Sequence, residues 1–316
     1  MRLLVLGGTG LFGRHIVALA LQRGDDVTLF NRGRSAPALF AARAELRRGD
    51  RRGDLRALAD GSAWDAAIDV TGYRPEEVAA SSRLLAERVE RLTFISTVSV
   101  YADASRPGVD EDAPLAEPAG TGGWEDYGPL KALCEQAVYA ALAGRALVIR
   151  PGIVAGPHDP TNRFSWWVAR CARGGRVPAP GPPQAPLQLL DARDLAAFVL
   201  DMTAARATGT YNAVGEDLTW ADLLAACCAV GPDCVPAWVP EADLRAAGVD
   251  ESQLPLWIPE SDPDSAGFMR VDGARAVAAG LRHRPLAQTA LDTRAALRPE
   301  DGPGLDPALE ARLIAA

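Results

Sequence analysis

Of the 33 basic residues in this 316-residue chain, all but one are arginine; the exception is Lys131. It stands four residues after Tyr127, in Tyr127-Gly128-Pro129-Leu130-Lys131. With only five tyrosines present, chance does not readily give that placement. A lysine kept where arginine has taken every other basic position points to a task for a compact ammonium, with three rotatable donors and a pKa that burial shifts readily. On a helix, residues four apart share a face. An ammonium beside a phenol can lower the phenol's pKa and make it a proton-transfer group. The plainer alternative is a surface lysine beside a core tyrosine.

Two further constellations suggest a ligand for that pair. Ser96-Thr97-Val98-Ser99-Val100-Tyr101 closes an apolar segment that reads as a strand, and hydroxyls at the C-terminal end of a parallel strand face the crevice where ligands bind. Near the start, Gly7-Gly8-Thr9-Gly10-Leu11-Phe12-Gly13 satisfies two glycine spacings, G-x-G-x-x-G and G-x-x-G-x-x-G. It follows a short apolar strand and opens a helix. In that context glycines let the backbone approach a pyrophosphate while the helix end supplies unpaired N–H groups. Gly7, Thr9, Gly10, Leu11, Phe12 and Gly13 are therefore the candidate dinucleotide contacts.

The end of the second strand bears on the choice of cofactor. An NAD site usually carries Asp or Glu there for the ribose 2′-hydroxyl; this chain has Asn31-Arg32-Gly33-Arg34. With no carboxylate to repel a phosphate and two guanidiniums able to grip one, Asn31, Arg32 and Arg34 favour NADP, with NAD as the alternative. Arg32 and Arg34 read equally simply as solvent-facing loop charges. Asp50 is placed to receive an adenine amino group or to cap a helix. Val70, Thr71 and Gly72 leave the fourth strand where backbone would pass beside the cofactor, and Tyr73 reads as packing.

These residues need a scaffold. Apolar runs predict strands at Leu3–Leu6, Val27–Phe30, Leu46, Ala66–Val70, Leu92–Ser96 and Ala146–Arg150, with helices near 14–23, 36–45, 54–60, 75–89 and 127–143. Alternating strands and helices predict an α/β fold, a doubly wound parallel sheet of the Rossmann type, with a smaller mixed substrate lobe. The expected division is a dinucleotide-binding domain over 1–155, rejoined by a strand and helix over 187–205, and a substrate lobe over 156–186 and 206–316. Pro178–Pro186 predicts an irregular loop. Short helices are expected near 219–230, 241–247, 272–279 and 285–297, and from Pro299 a loop, then a terminal helix.

A net charge of −8 argues against a nucleic-acid partner. The N-terminal apolar run is too short for a signal peptide and no stretch reaches membrane-spanning length, so a cytoplasmic protein with no membrane association is expected. Five cysteines without a C-x-x-C pair and three histidines fit neither a disulfide framework nor a metal site, so buried reduced thiols and no metal are expected. A small-molecule substrate and a monomer or homodimer complete the expectation.

Taken together, Gly7–Gly13, Phe94–Tyr101, Tyr127-x-x-x-Lys131, Arg150-Pro151-Gly152-Ile153-Val154-Ala155-Gly156-Pro157 and Asp191–Ala196 resemble the short-chain dehydrogenase/reductase superfamily, in its extended, epimerase/dehydratase-like branch. The resemblance covers nearly the whole chain. It implies Tyr127 as acid/base, Lys131 bonding the nicotinamide ribose and lowering the tyrosine pKa, and Thr97 orienting the substrate oxygen. Pro151 and Ile153 would line the nicotinamide. Ser99, Trp124 and Arg163 are the substrate candidates, with His158, Asp159, Trp166, Gln188 and Arg193 behind them; Asp191 reads as a helix N-cap.

The missing acidic residue after the second strand departs from the branch's usual pattern. The Gly-Gly-Thr and Asn-Arg-Gly segments are similar to a subgroup that includes chloroplast RNA-associated proteins. The leading expectation is an NADP-linked oxidoreductase acting on a hydroxyl or ketone of a small polar metabolite. Behind it stands an epimerase or dehydratase of a sugar-like or natural-product substrate that returns the hydride internally. A nucleotide-sensing or RNA-associated binding protein is third.

Overall fold

The computed structural model describes residues 1–120, 123–250, 253–297 and 305–315. In chain order the elements are β1 (Arg2–Leu6), α1 (Leu11–Gln22), β2 (Asp26–Asn31), β3 (Glu45–Arg48), β4 (Trp64–Asp69), α2 (Pro75–Leu85), β5 (Val89–Ile95), α3 (Tyr127–Ala141), β6 (Ala146–Pro151), β7 (Ile153–Ala155), α4 (Arg163–Ala172), β8 (Arg176–Pro180) and β9 (Pro186–Asp191). There follow α5 (Ala192–Ala204), β10 (Gly209–Ala213), β11 (Asp217–Thr219), α6 (Trp220–Cys228), β12 (Val235–Val239), α7 (Glu241–Ala246), α8 (Ala274–Ala278), α9 (Leu286–Ala296) and α10 (Pro307–Ala315).

Leu3, Leu4, Val5 and Leu6 are all buried because β1 lies inside a parallel sheet covered on both faces. That sheet has seven strands in the order β10-β6-β5-β4-β1-β2-β3, every pair parallel. α1 and α5 pack together on one face, over Val5, Leu29, Ile68 and Ile149. α2 and α3 cover the other, over Leu4, Phe94 and Val148. A second core of Phe164, Trp166, Trp167, Trp220 and Leu244 fills the smaller lobe. β11-β9-β7 form a three-stranded sheet and β12-β8 a parallel pair. Among the described residues no helix is long and apolar enough to cross a membrane.

Several expected elements differ. Residues 36–45 are turns rather than a helix: Ala36 and Phe40 have positive φ of 46° and 66°, and a residue before proline is pushed out of the helical region. Residues 54–60 contain only a 310 turn, Arg56–Leu58. Gly209–Ala213, expected in the smaller lobe, is the edge strand β10 of the large sheet. The strand expected to rejoin that sheet, β9, pairs with β7 and β11 instead, while α5 does return to it. Part of the expected proline-rich loop is β8, which tolerates its prolines because β12 is its one partner strand. Cys228 and Cys234, expected as thiols, form a disulfide; Cys134, Cys171 and Cys227 are free and buried. The terminal helix is α10, and residues 298–304 lie outside the described residues.

Candidate functional site

Parallel strands put β1, β2, β4 and β5 ends on one edge of the sheet, and the two constellations meet there. The glycine turn leaves β1 with Gly7 and Gly8 at φ of 104° and 87°, values that L side chains rarely adopt. A Cβ on Gly7 would lie 2.4 Å from Thr71, and one on Gly13 would lie 3.1 Å from the backbone of Gly8. Gly10 has nothing within 4 Å of where its Cβ would be, so it keeps the space above the helix end open. It caps α1 without a side-chain hydrogen bond, leaving the first N–H groups of a twelve-residue helix for an anion.

A cleft of about 290 Å³ follows, lined by Gly7, Thr9, Gly10, Asn31, Arg32, Arg34, Asp50, Thr71 and Tyr73 among others. Glycine cradle and cleft together fit the adenosine and phosphates of a dinucleotide. Leu11 and Phe12 are half-buried in the first turn of α1, and Val70 is buried where β4 ends. Asn31 donates to the Gly7 carbonyl (3.3 Å) and accepts from Gly33 N (2.9 Å), shaping the turn after β2. Arg32 and Arg34 are exposed, and neither forms an ion pair among the described residues. Asp50 accepts from Arg52 N (3.1 Å), so it caps a turn while it lines the cleft.

The second constellation, Thr97, Tyr127 and Lys131, lies beyond the cleft. Two residues past β5, Thr97 caps a 310 turn, and its Oγ1 accepts from Ser99 N (3.2 Å) and donates to Ser99 Oγ (3.1 Å). Tyr127 begins α3, and the Thr97 side chain is near enough to act on its phenol. The next residue must be glycine, because a Cβ on Gly128 would sit 1.8 Å from the Ser99 carbonyl oxygen. One turn on, Lys131 is buried, and its Nζ donates to the Gly72 carbonyl (2.7 Å) and the Ile95 carbonyl (2.6 Å). An ammonium has three donors, so one N–H remains for a ligand. Phe94 lies beneath it at 4.2 Å and Tyr73 beside it at 5.6 Å.

Burial pushes the Lys131 pKa down to about 8, with Asp69 pulling it back up. Burial, then the neighbouring Tyr73 phenol, hold Tyr127 above its ordinary value, against the Thr97 side chain and the charge of Arg163. The resemblance implied that Lys131 lowers Tyr127; in this structure the lowering influences are Thr97 and Arg163, and burial outweighs them. The lysine is turned to its two carbonyls.

The remaining candidates divide. Pro151 ends β6 and Ile153 opens β7, both buried at the sheet edge. Arg163 begins α4, its Nε donating to Thr161 Oγ1 (3.1 Å), and its charge reaches Tyr127. Trp124 opens a 310 turn just before α3, and its side chain lies outside the described residues. His158 stacks on His15, tying the Pro157 turn to α1. Asp159 folds onto Thr161 (2.8 Å). Trp166 is in the lobe core, Gln188 exchanges hydrogen bonds with the Val271 backbone, and Arg193 pairs with Asp191 and Asp292. Each of these last three is engaged by partners within the protein. Asp191 caps α5, as its position predicts.

The sequence reading missed Asp69 and Arg51. Asp69 is buried at the end of β4 and takes both arms of Arg51 (2.9 and 2.8 Å) and Thr71 N (2.9 Å). Burial pushes Asp69 up, but Arg51 and Thr71 outweigh it and keep its pKa low. The pair braces the floor of the cleft. A carboxylate inside the apolar strand Ala66–Val70 was the available signal.

Residues 3–214 match the NAD dependent epimerase/dehydratase family. The chain belongs to that family. It is accordingly of the extended short-chain dehydrogenase/reductase type. It is 32% identical over 183 residues to a dTDP-6-deoxy-L-talose 4-dehydrogenase (NAD(P)(+)) from Kitasatospora kifunensis, covering 50% of this chain and 54% of the relative. It is 24% identical over 245 residues to the chloroplast stem-loop binding protein of 41 kDa b from Arabidopsis thaliana, covering 72% and 62%. The matches thus span less than two thirds of either relative. The fold is similar to that of the Bordetella bronchiseptica enzyme WbmH, solved with NAD+, with a TM-score of 0.71 and 17% identity over 95% of this chain and 99% of that one.

Proposed function

We propose that the protein exchanges a hydride at a hydroxyl- or ketone-bearing carbon of a small polar metabolite, with Tyr127 as the proton-transfer group, and that it prefers NADP to NAD. The observation that carries the reading is a buried lysine anchored by two carbonyls, one helical turn from Tyr127, whose phenol is acted on by Thr97. When bound, the nicotinamide supplies or accepts the hydride. Thr97, with Ser99 behind it, orients the substrate oxygen toward the phenol. Tyr127 gives its proton to a carbonyl oxygen in reduction and takes one from a hydroxyl in oxidation. Lys131 offers its remaining N–H to the ribose. Pro151 and Ile153 wall the nicotinamide, and Arg163, whose charge reaches Tyr127, meets the polar substrate.

The cofactor preference rests on Arg32 and Arg34, exposed on the cleft wall without acidic partners among the described residues. Net redox turnover is supported by the dehydrogenase relative, whose name gives NAD(P)+ as cofactor. Epimerisation with internal return of the hydride is the second reading, supported by the family itself. Dehydration is less well served: expelling water calls for a further acid or base, and Thr97–Tyr101 carries hydroxyls without a carboxylate.

The test is consumption of added NADPH with a panel of carbonyl compounds, sugar nucleotides included. Tyr127→Phe should lower kcat by about 10²- to 10⁴-fold and leave cofactor binding in place; undiminished turnover would remove the tyrosine from the mechanism. Arg32→Ala combined with Arg34→Ala should raise the NADP dissociation constant by about 10- to 100-fold and spare NAD. Equal losses for both cofactors would refute the NADP preference. Tightly co-purifying cofactor with no net consumption would favour epimerisation.

A further inference from the structure

Four of the five cysteines gather far from this site, in the smaller lobe. Cys171 lies in the last turn of α4, Cys227 and Cys228 end α6, and Cys234 precedes β12. Cys171 Sγ is 4.0 Å from Cys228 Sγ, Cys228 is bonded to Cys234, and the sulfurs of Cys171, Cys228 and Cys234 all lie within 4.8 Å of one another. Cys227, wholly buried, lies near enough to Cys171 to act on it. The backbone fixes this convergence. A Cβ on Gly231 would lie 2.0 Å from the Cys171 carbonyl oxygen, and one on Gly174 would lie 2.1 Å from that of Pro232, so the turn carrying Cys234 is pressed onto the end of α4.

A third sulfur beside a disulfide suits either thiol–disulfide exchange or, once reduced, a shared metal ion. Exchange runs through a nearly linear sulfur triad. Attack on Cys228 along that line would put Cys171 about 6 Å from Cys234, given an S–S bond of ~2.05 Å added to the 4.0 Å approach. The three sulfurs instead form a compact triangle inside 4.8 Å. Tetrahedral zinc with Zn–S bonds of ~2.3 Å holds its sulfurs ~3.8 Å apart, close to the Cys171–Cys228 separation of 4.0 Å.

We propose that, with the disulfide reduced, Cys171, Cys228 and Cys234 form a thiolate site for zinc. The fourth position opens toward solvent, on the side where Cys228 and Cys234 are half-buried. The balance is simple. Two molecules of a small-molecule thiol become one disulfide as the Cys228–Cys234 bond takes up two electrons and two protons. Zinc then displaces one proton from each of the three thiols. The oxidised chain holds no zinc, so metal occupancy follows the thiol redox state and ties α4, α6 and the head of β12 together only under reducing conditions.

The full-length protein, reduced with a phosphine and freed of reductant without air, is titrated with cobalt(II) and then zinc. One equivalent of cobalt should give the near-ultraviolet sulfur-to-cobalt charge-transfer band, which zinc should bleach. Cys171→Ser and Cys234→Ser should lose the band with far-UV circular dichroism unchanged, while Cys134→Ser should keep it. Should reduction itself loosen the lobe, zinc should restore the native dichroism. No band in reduced wild type, a band untouched by Cys171→Ser, equal binding by the oxidised chain, or a loosened lobe that zinc does not restore would each overturn the proposal.

Discussion

Lys131 is held in a buried slot by the carbonyls of Gly72 and Ile95, with Phe94 packed beneath the ammonium. A planar guanidinium is too large for that slot and cannot share its donors in the same directions, which accounts for a lone lysine in an arginine-rich chain. Its folded pKa of about 8, against an ordinary 10.5, makes stability depend on pH. Between those values the unfolded chain binds a proton that the folded chain has released, so stability rises with pH across the window. The contribution is greatest above about 10.5 and is lost as pH falls through about 8. Compared with Lys131→Met by urea unfolding, wild type should gain ~3 kcal/mol from pH 7.5 to 10.5, with no second lysine to confuse the comparison. A flat difference would mean the ammonium is not desolvated. The nearness of Tyr127 and Lys131 on α3, with Thr97 alongside, was legible because it rests on residue type and a four-residue spacing. Asp69 and Arg51 were not, because their partnership spans 18 positions and only the fold makes it. Arg193 misled for the same reason: its partner Asp292 is 99 positions away.

α3 carries both Tyr127 and Lys131, so its seat decides the site. Gly128 lets it approach Ser99, and one turn beyond Lys131, Glu135 clasps Arg150 of β6 through both oxygens (3.0 and 2.7 Å). The pair is almost wholly buried, and Arg150 also reaches the Tyr101 hydroxyl (3.0 Å), which donates to Asn212 of β10 (2.6 Å). Removing one member of a buried pair strands the other charge. Glu135→Ala should therefore cost about 3–5 kcal/mol in denaturant unfolding, several times the loss from cutting the exposed Arg206–Glu90 pair by Glu90→Ala. Comparable losses would mean water enters around Arg150. The elements that seat the site were readable from hydrophobic periodicity: β1, β4, β5, α1, α3 and α5 fall close to their expected places. β8, β12 and β10 were hidden, the first two by their prolines and the last by Thr-Tyr-Asn, whose polar atoms are satisfied by Tyr139 and Asp272 contacts that no local pattern announces.

The chain passes back and forth between its two cores rather than completing one before the other. It builds six strands of the large sheet, enters the smaller lobe through α4, returns for α5, supplies β10 as the seventh strand, leaves again for α6, and comes back once more when α8 packs on β10. Cutting at residue 205 would uncover the β6 edge and remove Asn212 from the Arg150 network. A lobe assembled from separate stretches of chain, with α5 and β10 of the large sheet between them, has little means of unfolding alone, so one cooperative transition is expected. The probes separate cleanly. Five of seven tryptophans belong to the second half, at 166, 167, 220, 238 and 257, so fluorescence reports mainly the smaller lobe. Far-UV circular dichroism reports both, and dinucleotide binding reports the large sheet. The three should lose their native signals at a common urea concentration. Glu135→Ala, placed between α3 and β6, should shift all three together by the same amount, because its 3–5 kcal/mol weakens a single folding unit. Tryptophan signals that hold their midpoint while cofactor binding fails earlier would show two separable units, and the interleaved path of the chain would then not couple them.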